Sequence, residues 1–302
     1  MRRLFVAMLC GSVALQASAR RVEPVTFPSL DRDAAGATTT LRGVLLLPSR
    51  AIPRNGFPAI IALHGCGGMY STREGGDRDV AERMLLRVDP WLRDGYAVLF
   101  VDSFRSRGLK EVCTIRHGDR TVTVTTRRLD ALGALAFLAA RPDIAGERIA
   151  LVGWSHGGST VLQTIDVGDP AVAGFFERQG APPFFRAAVA FYPGCTASLK
   201  AGERYRPGTS TRVHIGELDD WTPARTCVAL GAALRHRGAD FDVATYANSY
   251  HAFDSPTGNV VHRTDVPNGD RPGEGVHVGP NPHARGVANA RVSAFLRDRL
   301  SP

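Results

Sequence analysis

Runs of apolar residues alternate along the chain with segments in which apolar residues recur every three or four positions. The helical spacing is clearest around 80–88 and in 129–139, and a closing helix is predicted at about 284–300. An extended amino-terminal region comes first, and seven apolar runs then predict strands at 41–47, 58–63, 96–101, 148–153, 187–192, 212–216 and 241–246. This alternation predicts an α/β fold with a mainly parallel central sheet and helices on both faces.

The length of the chain, 302 residues, bears on the number of domains. Two domains would fit in this length, but α/β folds of this size are commonly one unit. No low-complexity linker interrupts residues 20–302. We therefore expect a single domain over that range.

The first residues have the pattern of a secretory signal peptide. Arg2 and Arg3 form a basic start, 4–15 is an apolar core, and Ala-Ser-Ala at 17–19 is a small-residue cleavage site. The apolar core is too short for a confident membrane span. The sequence predicts a signal peptide at 1–19 and an exported protein, periplasmic or secreted, with no stable membrane insertion.

Composition and charge narrow the classes of function. The formal net charge is +8, and it falls to +6 when Arg2 and Arg3 leave with the signal. The positive residues are mostly scattered arginines, which favours a solvated basic surface over a nucleic-acid site. No CxxC or histidine-cluster spacing indicates a metal, and no glycine loop for phosphate is found. Neither a metal, a cofactor nor a nucleic-acid partner is expected.

A serine follows the apolar run at 148–153 in the sequence Gly-Trp-Ser-His-Gly. Gly153 and Gly157 allow a tight turn from a buried strand into a helix, and Ser155 then lies exposed at the turn. This context is typical of a nucleophile elbow. A glycine-rich turn with an incidental serine is the alternative.

An acid and a histidine follow Ser155 in the chain order Ser, Asp, His. Asp219 directly follows the strand at 212–216, whereas the adjacent Asp220 is expected to cap the helix that begins near Pro223. His251 lies in the loop after the last strand. A histidine activates a serine by taking its proton, and an acid orients the histidine. We predict Ser155, Asp219 and His251 as catalytic residues. The open alternatives are Asp220 for the acid, and His262 and His277 for the histidine.

Acyl transfer also requires hydrogen-bond donors for a developing oxyanion. The elbow supplies the backbone N–H of His156. The glycine-rich turn after the strand at 58–63 supplies a second candidate, the backbone N–H of Cys66. These two groups are the predicted oxyanion hole.

With these residues in place, the chain resembles the dienelactone hydrolase family of the α/β hydrolases, from about Val44 to Leu300. The resemblance implies an α/β-hydrolase fold and the roles given above. It departs at two points: Ser155 stands where dienelactone hydrolases have a cysteine, and the turn at 64–66 has no glutamate. Both departures favour a serine carboxylesterase over a dienelactone hydrolase. The motifs that carry the resemblance are LHGCGG (63–68), VDSFRSRG (101–108), GWSHGG (153–158), YPGC (192–195), GELDDWTP (216–223) and YHAFD (250–254).

Four cysteines remain after removal of the signal, and export would place them in an oxidising compartment. Three complete pairings are possible. The fold topology favours Cys66 with Cys113 and Cys195 with Cys227, because each pair then joins loops at the same edge of neighbouring strands. Free buried thiols are the alternative.

The leading hypothesis is an exported serine hydrolase that cleaves small carboxylic esters through an acyl-enzyme. An amide or peptide hydrolase of the same fold and a non-catalytic binding protein on this scaffold are the alternatives. Arg105 and Arg107 are candidates for orienting an anionic substrate, with a structural loop role at least as favoured. The segment 255–282 is predicted to be a long loop, either a surface excursion or the rim of the site. The oligomeric state stays open.

Overall fold

The structure is a computed structural model that describes residues 20–33, 35–71, 79–178 and 180–301. The signal peptide predicted at 1–19 lies outside these residues. Within the described ranges, none of the helices has the length and apolar character needed to span a membrane.

One sheet contains the seven predicted strands and an additional strand at its amino-terminal edge. The strands are β1 (Arg21–Arg32), β2 (Thr38–Leu47), β3 (Phe57–Leu63), β4 (Ala97–Asp102), β5 (Ile144–Trp154), β6 (Ala187–Phe191), β7 (Thr211–Gly216) and β8 (Phe241–Tyr246). Their order in the sheet is β1-β2-β4-β3-β5-β6-β7-β8. The six strands β3 to β8 are parallel to one another, and β2 pairs antiparallel with both β1 and β4. The predicted mainly parallel sheet is confirmed, and the extended amino-terminal region proves to be the edge strand β1.

From β3 onward, helices alternate along the chain with the strands of this sheet. They are α1 (Glu82–Asp94), α2 (Val124–Ala139), α3 (His156–Thr164), α4 (Pro170–Glu177), α5 (Thr196–Ala201), α6 (Ala224–His236) and α7 (Pro282–Leu300). The helices predicted from apolar spacing correspond to α1, α2 and α7. Side chains cap three of the helices. Thr123 accepts the Thr126 N–H at α2, Asp169 accepts the Ala171 N–H at α4, and Asn281 accepts the Ala284 N–H at α7.

The central strands are buried on both faces. Every residue of β4 and of β6 is buried, and successive residues of a strand point to opposite faces. Burial of the whole strand therefore requires cover on both sides of the sheet. Helix α2 packs over β1, β3 and β5 and against α3, while α7 packs on β5 and β6. The predicted α/β fold with helices on both faces is confirmed.

Two disulfides tie together loops at the carboxyl edge of the parallel strands. Cys66, after β3, bonds Cys113, after the neighbouring strand β4. Cys195, after β6, bonds Cys227 in α6, which follows the neighbouring strand β7. The predicted pairing is confirmed, and the alternative of free thiols is wrong.

The segment 255–282 contains more secondary structure than the sequence predicts. Strands β9 (Val261–Arg263) and β10 (Val276–Val278) pair antiparallel within it. Each strand has only three residues, which is too short for an alternating pattern to be recognised in the sequence. This hairpin lies beside His251, because His251 forms an isolated parallel bridge with Val278.

Candidate active site

Ser155 lies at a sharp turn between β5 and α3. Its backbone has φ 55° and ψ −117°, a conformation that non-glycine residues rarely adopt. The chain can make this turn only because glycines flank it closely. A Cβ on Gly153 would lie 2.3 Å from the Gly157 carbonyl oxygen, and one on Gly157 would lie 2.1 Å from the Leu63 carbonyl oxygen. The turn therefore has the geometry of the expected elbow.

Hydrogen bonds link Ser155, His251 and Asp219 in one line. His251 Nε2 lies 2.8 Å from Ser155 Oγ, and His251 Nδ1 lies 2.8 Å from Asp219 Oδ2. Both the histidine and the aspartate are buried. An ionised carboxylate only accepts hydrogen bonds, so Nδ1 carries the ring proton and Nε2 is left to accept from the serine hydroxyl. The structure thus brings together the three residues predicted from the sequence.

The loop after β7 holds the Asp219 carboxylate in place. Its Oδ1 accepts the backbone N–H groups of Trp221 and Thr222 at 3.0 and 2.8 Å, and Thr222 Oγ1 donates to Oδ2 at 3.1 Å. These neutral donors satisfy the carboxylate without a competing cation. The charge of Asp219 is therefore directed at His251.

Asp220, the alternative acid, points away from the serine. Its carboxylate accepts the backbone N–H and the Nδ1–H of His277, at 2.8 and 2.7 Å. The expected role of Asp220 as a helix cap is wrong, since Pro223 is the N-cap of α6 and no side chain bonds there. His262 stacks on His277 with ring centroids 4.5 Å apart. Both alternative histidines therefore belong to the 255–282 hairpin.

The loops that carry Asp219 and His251 meet through their backbones. Leu218 donates its N–H to the Ser249 carbonyl oxygen at 3.0 Å. A Cβ on Gly216 would lie 2.1 Å from the same oxygen, so only glycine permits this approach. On the far side, Gly279 donates its N–H to the His251 carbonyl at 2.9 Å. The histidine is thus fixed between the Asp219 loop and the 255–282 hairpin.

A buried polar cluster that sequence reasoning missed supports His251 from below. Asp254 accepts from Arg87 Nε at 2.9 Å, from Trp154 Nε1 at 2.8 Å and from Tyr192 Oη at 2.6 Å. The Tyr192 ring packs on His251 with centroids 4.6 Å apart. Burial opposes the charge of Arg87, but Asp254 outweighs it and raises the pKa of Arg87. The motif YHAFD contains Asp254, yet nothing in its spacing reveals these partners.

The two candidate oxyanion donors flank Ser155. His156 is the first residue of α3, so its backbone N–H has no acceptor within the helix. Gly65, which precedes Cys66, lies close enough to the elbow that a Cβ on it would be 3.5 Å from Ser155 Cβ. Cys66 and Ser155 line the same cavity. The arrangement can therefore present two N–H groups beside the serine hydroxyl.

The cavity at Ser155 has a volume of about 910 Å³ and a basic wall. Its charged lining residues are Arg83, Arg87, Arg105, Lys110, Arg263 and Glu111. Arg87 is neutralised by Asp254, and the Glu111 carboxylate accepts the N–H groups of Cys113 and Thr114. The predicted residue Arg105 lines this cavity, with its guanidinium 4.3 Å from the ring centroid of Tyr70.

Solved structures with a similar fold include several hydrolases. A dienelactone hydrolase-like promiscuous phosphotriesterase from metagenomic libraries is 18% identical, with a TM-score of 0.62 over 93% of this chain and 99% of that chain. A putative dienelactone hydrolase from Klebsiella pneumoniae subsp. pneumoniae is 13% identical, with a TM-score of 0.60 over 91% and 98%. Esterase 2 of Thermogutta terrifontis, phosphorylated by paraoxon, is 17% identical, with a TM-score of 0.58 over 94% and 96%.

The sequence itself matches a family model. No curated protein sequence matches the chain significantly. The model of the dienelactone hydrolase family, however, matches residues 41–299, which contain β3 to β8 and most of β2. The chain therefore belongs to the dienelactone hydrolase family and is a hydrolase with the α/β-hydrolase fold.

Proposed function

We propose that this protein is a serine esterase that cleaves carboxylic esters through an acyl-enzyme. The observation that carries the proposal is the line of two 2.8 Å hydrogen bonds from Asp219 through His251 to Ser155. A hydroxyl is a weak nucleophile until a base removes its proton, and this line provides the base and its orientation. Ser155 is the nucleophile, His251 the general base and Asp219 the acid that orients it.

The reaction proceeds in two halves. Ser155 Oγ attacks the ester carbonyl carbon while His251 Nε2 takes the hydroxyl proton, and the backbone N–H groups of Cys66 and His156 bind the resulting oxyanion. Collapse breaks the bond to the alcohol, which leaves with the proton from His251. Water then attacks the acyl-enzyme while His251 Nε2 takes a proton from it. Collapse breaks the bond to Ser155 Oγ, which recovers its proton from His251 as the acid product departs.

The residues at the site favour an ordinary ester over dienelactone. Ser155 stands in place of the cysteine of dienelactone hydrolases, and the turn at 64–66 contributes no carboxylate to the cavity. A serine paired with a histidine suits an unactivated ester. No feature of the site favours an amide or a binding role over this activity.

The basic wall of the cavity supports substrates that carry an anionic group. Arg83 is half-buried, and no carboxylate among the described residues pairs with it. Burial and the neighbouring Arg87 lower the pKa of Arg83, so a bound anion would relieve an unfavourable charge. Arg105 and Lys110 line the same cavity. We assign Arg83 and Arg105 to binding the anionic end of an ester.

The proposal extends to export and to the organisation of the chain. Residues 1–19 act as a signal peptide, and residues 20–302 form one domain that works outside the cytoplasm. Two disulfides are compatible with such an oxidising compartment.

Replacement of the nucleophile tests the serine mechanism. Ser155→Ala should lower kcat on p-nitrophenyl esters of increasing acyl length by at least about a thousand-fold, because it removes the hydroxyl that His251 Nε2 contacts. Ser255→Ala, a change elsewhere in the cavity wall, is the matched control and should keep its activity. Paraoxon should modify the wild type at Ser155. A folded wild-type protein that hydrolyses no ester would refute the esterase assignment.

The two adjacent acids provide their own control. Asp219→Asn should lower kcat by about 1,000- to 10,000-fold, because an amide cannot hold His251 in the required tautomer. Asp220→Asn should change kcat by less than about tenfold, since it loosens only the contact with His277. Steady-state kinetics on one ester compares the two. Equal losses would show that Asp219 is not the orienting acid.

Substrate charge is tested with two esters of six acyl carbons, the p-nitrophenyl monoester of adipate and p-nitrophenyl hexanoate. Arg83→Met should raise the KM of the anionic adipate ester by about tenfold or more, because a charged hydrogen bond is lost. The KM of the hexanoate ester should stay within about twofold. Arg93→Met, an exposed change on the same helix, is the control. An equal effect on both esters would contradict the anion-binding role.

Export and disulfide formation are read from the mass of the mature protein. When the full chain is expressed in a bacterium with an export pathway, the secreted or periplasmic protein should begin at Arg20. Peptides from a non-reduced digest should link Cys66 to Cys113 and Cys195 to Cys227. A protein that keeps residues 1–19 and stays in the cytoplasm would contradict the assignment.

A further inference from the structure

Arg127 is a fully buried arginine whose hydrogen bonds go to no carboxylate. It lies in the first turn of α2 with no exposed surface. Its Nη1 bonds His156 Nδ1 at 2.8 Å, and its Nη2 donates to the His64 carbonyl oxygen at 2.8 Å. The nearby carboxylate of Asp130 is occupied by Arg107 and Ser29. Arg127 therefore hydrogen-bonds only to neutral polar groups, and the carboxylates of Asp130 and Asp102 act on its charge without bonding to it.

Such an arrangement is unfavourable for folding. Burial lowers the pKa of Arg127 to about 9, which is still high enough to keep the side chain charged at neutral pH. Buried arginines are normally paired with an acid, because an uncompensated buried charge lowers the free energy of unfolding by about several kcal/mol. A side chain that only filled space here would be better apolar. The charge must serve the groups that it contacts.

Those groups belong to the two segments that carry the oxyanion donors. His156 immediately follows Ser155, and its backbone N–H is one donor. The His64 carbonyl is held by Arg127, and the His64 ring donates from Nδ1 to the Gly65 carbonyl at 2.7 Å. The Gly65 carbonyl is part of the same planar peptide group as the Cys66 N–H. Arg127 thus contacts both sides of the oxyanion site.

The tautomers of the two histidines agree with this arrangement. An arginine only donates, so His156 Nδ1 accepts and the His156 ring is neutral. His64 donates from Nδ1 and accepts the Ser103 N–H at Nε2, at 3.4 Å, so it is neutral as well. Burial and then the charge of Arg127 lower the pKa of both rings well below the ordinary value. Neither hydrogen bond to Arg127 is lost by protonation near neutral pH.

We propose that Arg127 is a positioning residue that sets the separation of the Cys66 and His156 backbone N–H groups by holding His64 and His156 at once. The inference rests on the proposed esterase function. It gives α2, which contributes nothing to the triad, a role in the reaction. The oxyanion exists only in the transition state and the tetrahedral intermediate, so a misplaced donor lowers kcat and leaves substrate binding nearly unchanged.

The test compares Arg127→Met with Arg128→Met, its neighbour on α2. Arg128 bonds Asp169 at 2.6 Å and contacts neither oxyanion segment. Arg127→Met should lower kcat on a p-nitrophenyl ester by about 100-fold with KM within about threefold. Arg128→Met should keep kcat within about threefold. Arg127→Lys retains a charged donor and should recover part of the loss.

A transition-state analogue gives a second readout. A trifluoromethyl ketone adds to Ser155 and places an oxyanion between the two N–H groups. Its affinity for Arg127→Met should fall by the same factor as kcat, whereas the carboxylic acid product should bind as it does to the wild type. A loss of kcat equal to that of Arg128→Met, or a rise in KM without a loss of kcat, would overturn the inference.

Crystal structures of the two variants separate this inference from the esterase assignment. The distance between the Cys66 and His156 backbone nitrogens should change by more than about 0.5 Å in Arg127→Met and stay constant in Arg128→Met. This distance can be measured even if the wild-type protein cleaves no ester. That result would refute the esterase function and leave the positioning role of Arg127 to be decided by the distance. An unchanged distance in Arg127→Met would refute the positioning role. If Arg127→Met does not fold, the same distance and kcat are measured in Arg127→Lys, where unchanged values would refute it too.

Discussion

The backbone conformation of Ser155 is the constraint on which the site depends. A residue other than glycine is strained at φ 55° and ψ −117°, so the surrounding structure must hold the Ser155 backbone in this conformation. The Ser155 N–H donates to the Phe191 carbonyl oxygen, and the Ser155 carbonyl accepts the Ser159 N–H, so the turn is fixed from β6 and from α3. The close approach of Gly157 to the Leu63 carbonyl brings the end of β3 against the elbow. One turn therefore places the proposed nucleophile and sets the position of the loop that is proposed to bind the oxyanion.

The buried polar groups below the site are of two electrostatic kinds. The cluster under His251 is balanced, because Asp254 compensates Arg87 and also binds Tyr192 and Trp154. Under the segments that carry the proposed oxyanion donors, Arg127 is a cation that bonds two neutral histidines and no carboxylate. The balanced cluster lies under His251, which alternates between neutral and charged forms in the proposed reaction. Arg127 lies under the segments where the proposed reaction develops negative charge, which is the favourable sign for its transition state.

The sheet and the hydrogen-bonded line of Asp219, His251 and Ser155 could be predicted from the sequence because both follow from short local patterns. Buried parallel strands are continuous apolar runs, and the carboxyl ends of such strands meet at one edge, so the order Ser, Asp, His was enough to assemble the residues. Edge strand β1 was missed as a strand because most of its residues are exposed or half-exposed and it takes its register from β2. The partner of Asp220 was missed because His277 lies 57 residues away in sequence.

The sequence alone does not distinguish the role of Arg127 from that of its neighbour Arg128. It is adjacent to Arg128 in the run Thr-Arg-Arg-Leu, and the two have the same chemistry, helix propensity and local context. Arg127 is fully buried against the segments that carry Cys66 and His156, whereas Arg128 is 9% exposed and pairs with Asp169. The two side chains point to different sides of α2, and the rotation of α2 about its axis is set by tertiary packing.

The loop after β3, which carries one of the proposed oxyanion donors, is restrained from two directions, and each restraint compensates for a weakness of the loop itself. A glycine-rich segment at 65–68 buries little apolar surface and loses much backbone entropy on ordering. On its inner side, Arg127 and His64 fix the peptide groups. On its outer side, Cys66 is bonded to Cys113 and its carbonyl accepts the Val112 N–H at 2.8 Å, within a small apolar cluster separate from the main core. A covalent bond and a buried charge thus order this loop, because its own side chains bury too little surface to do so.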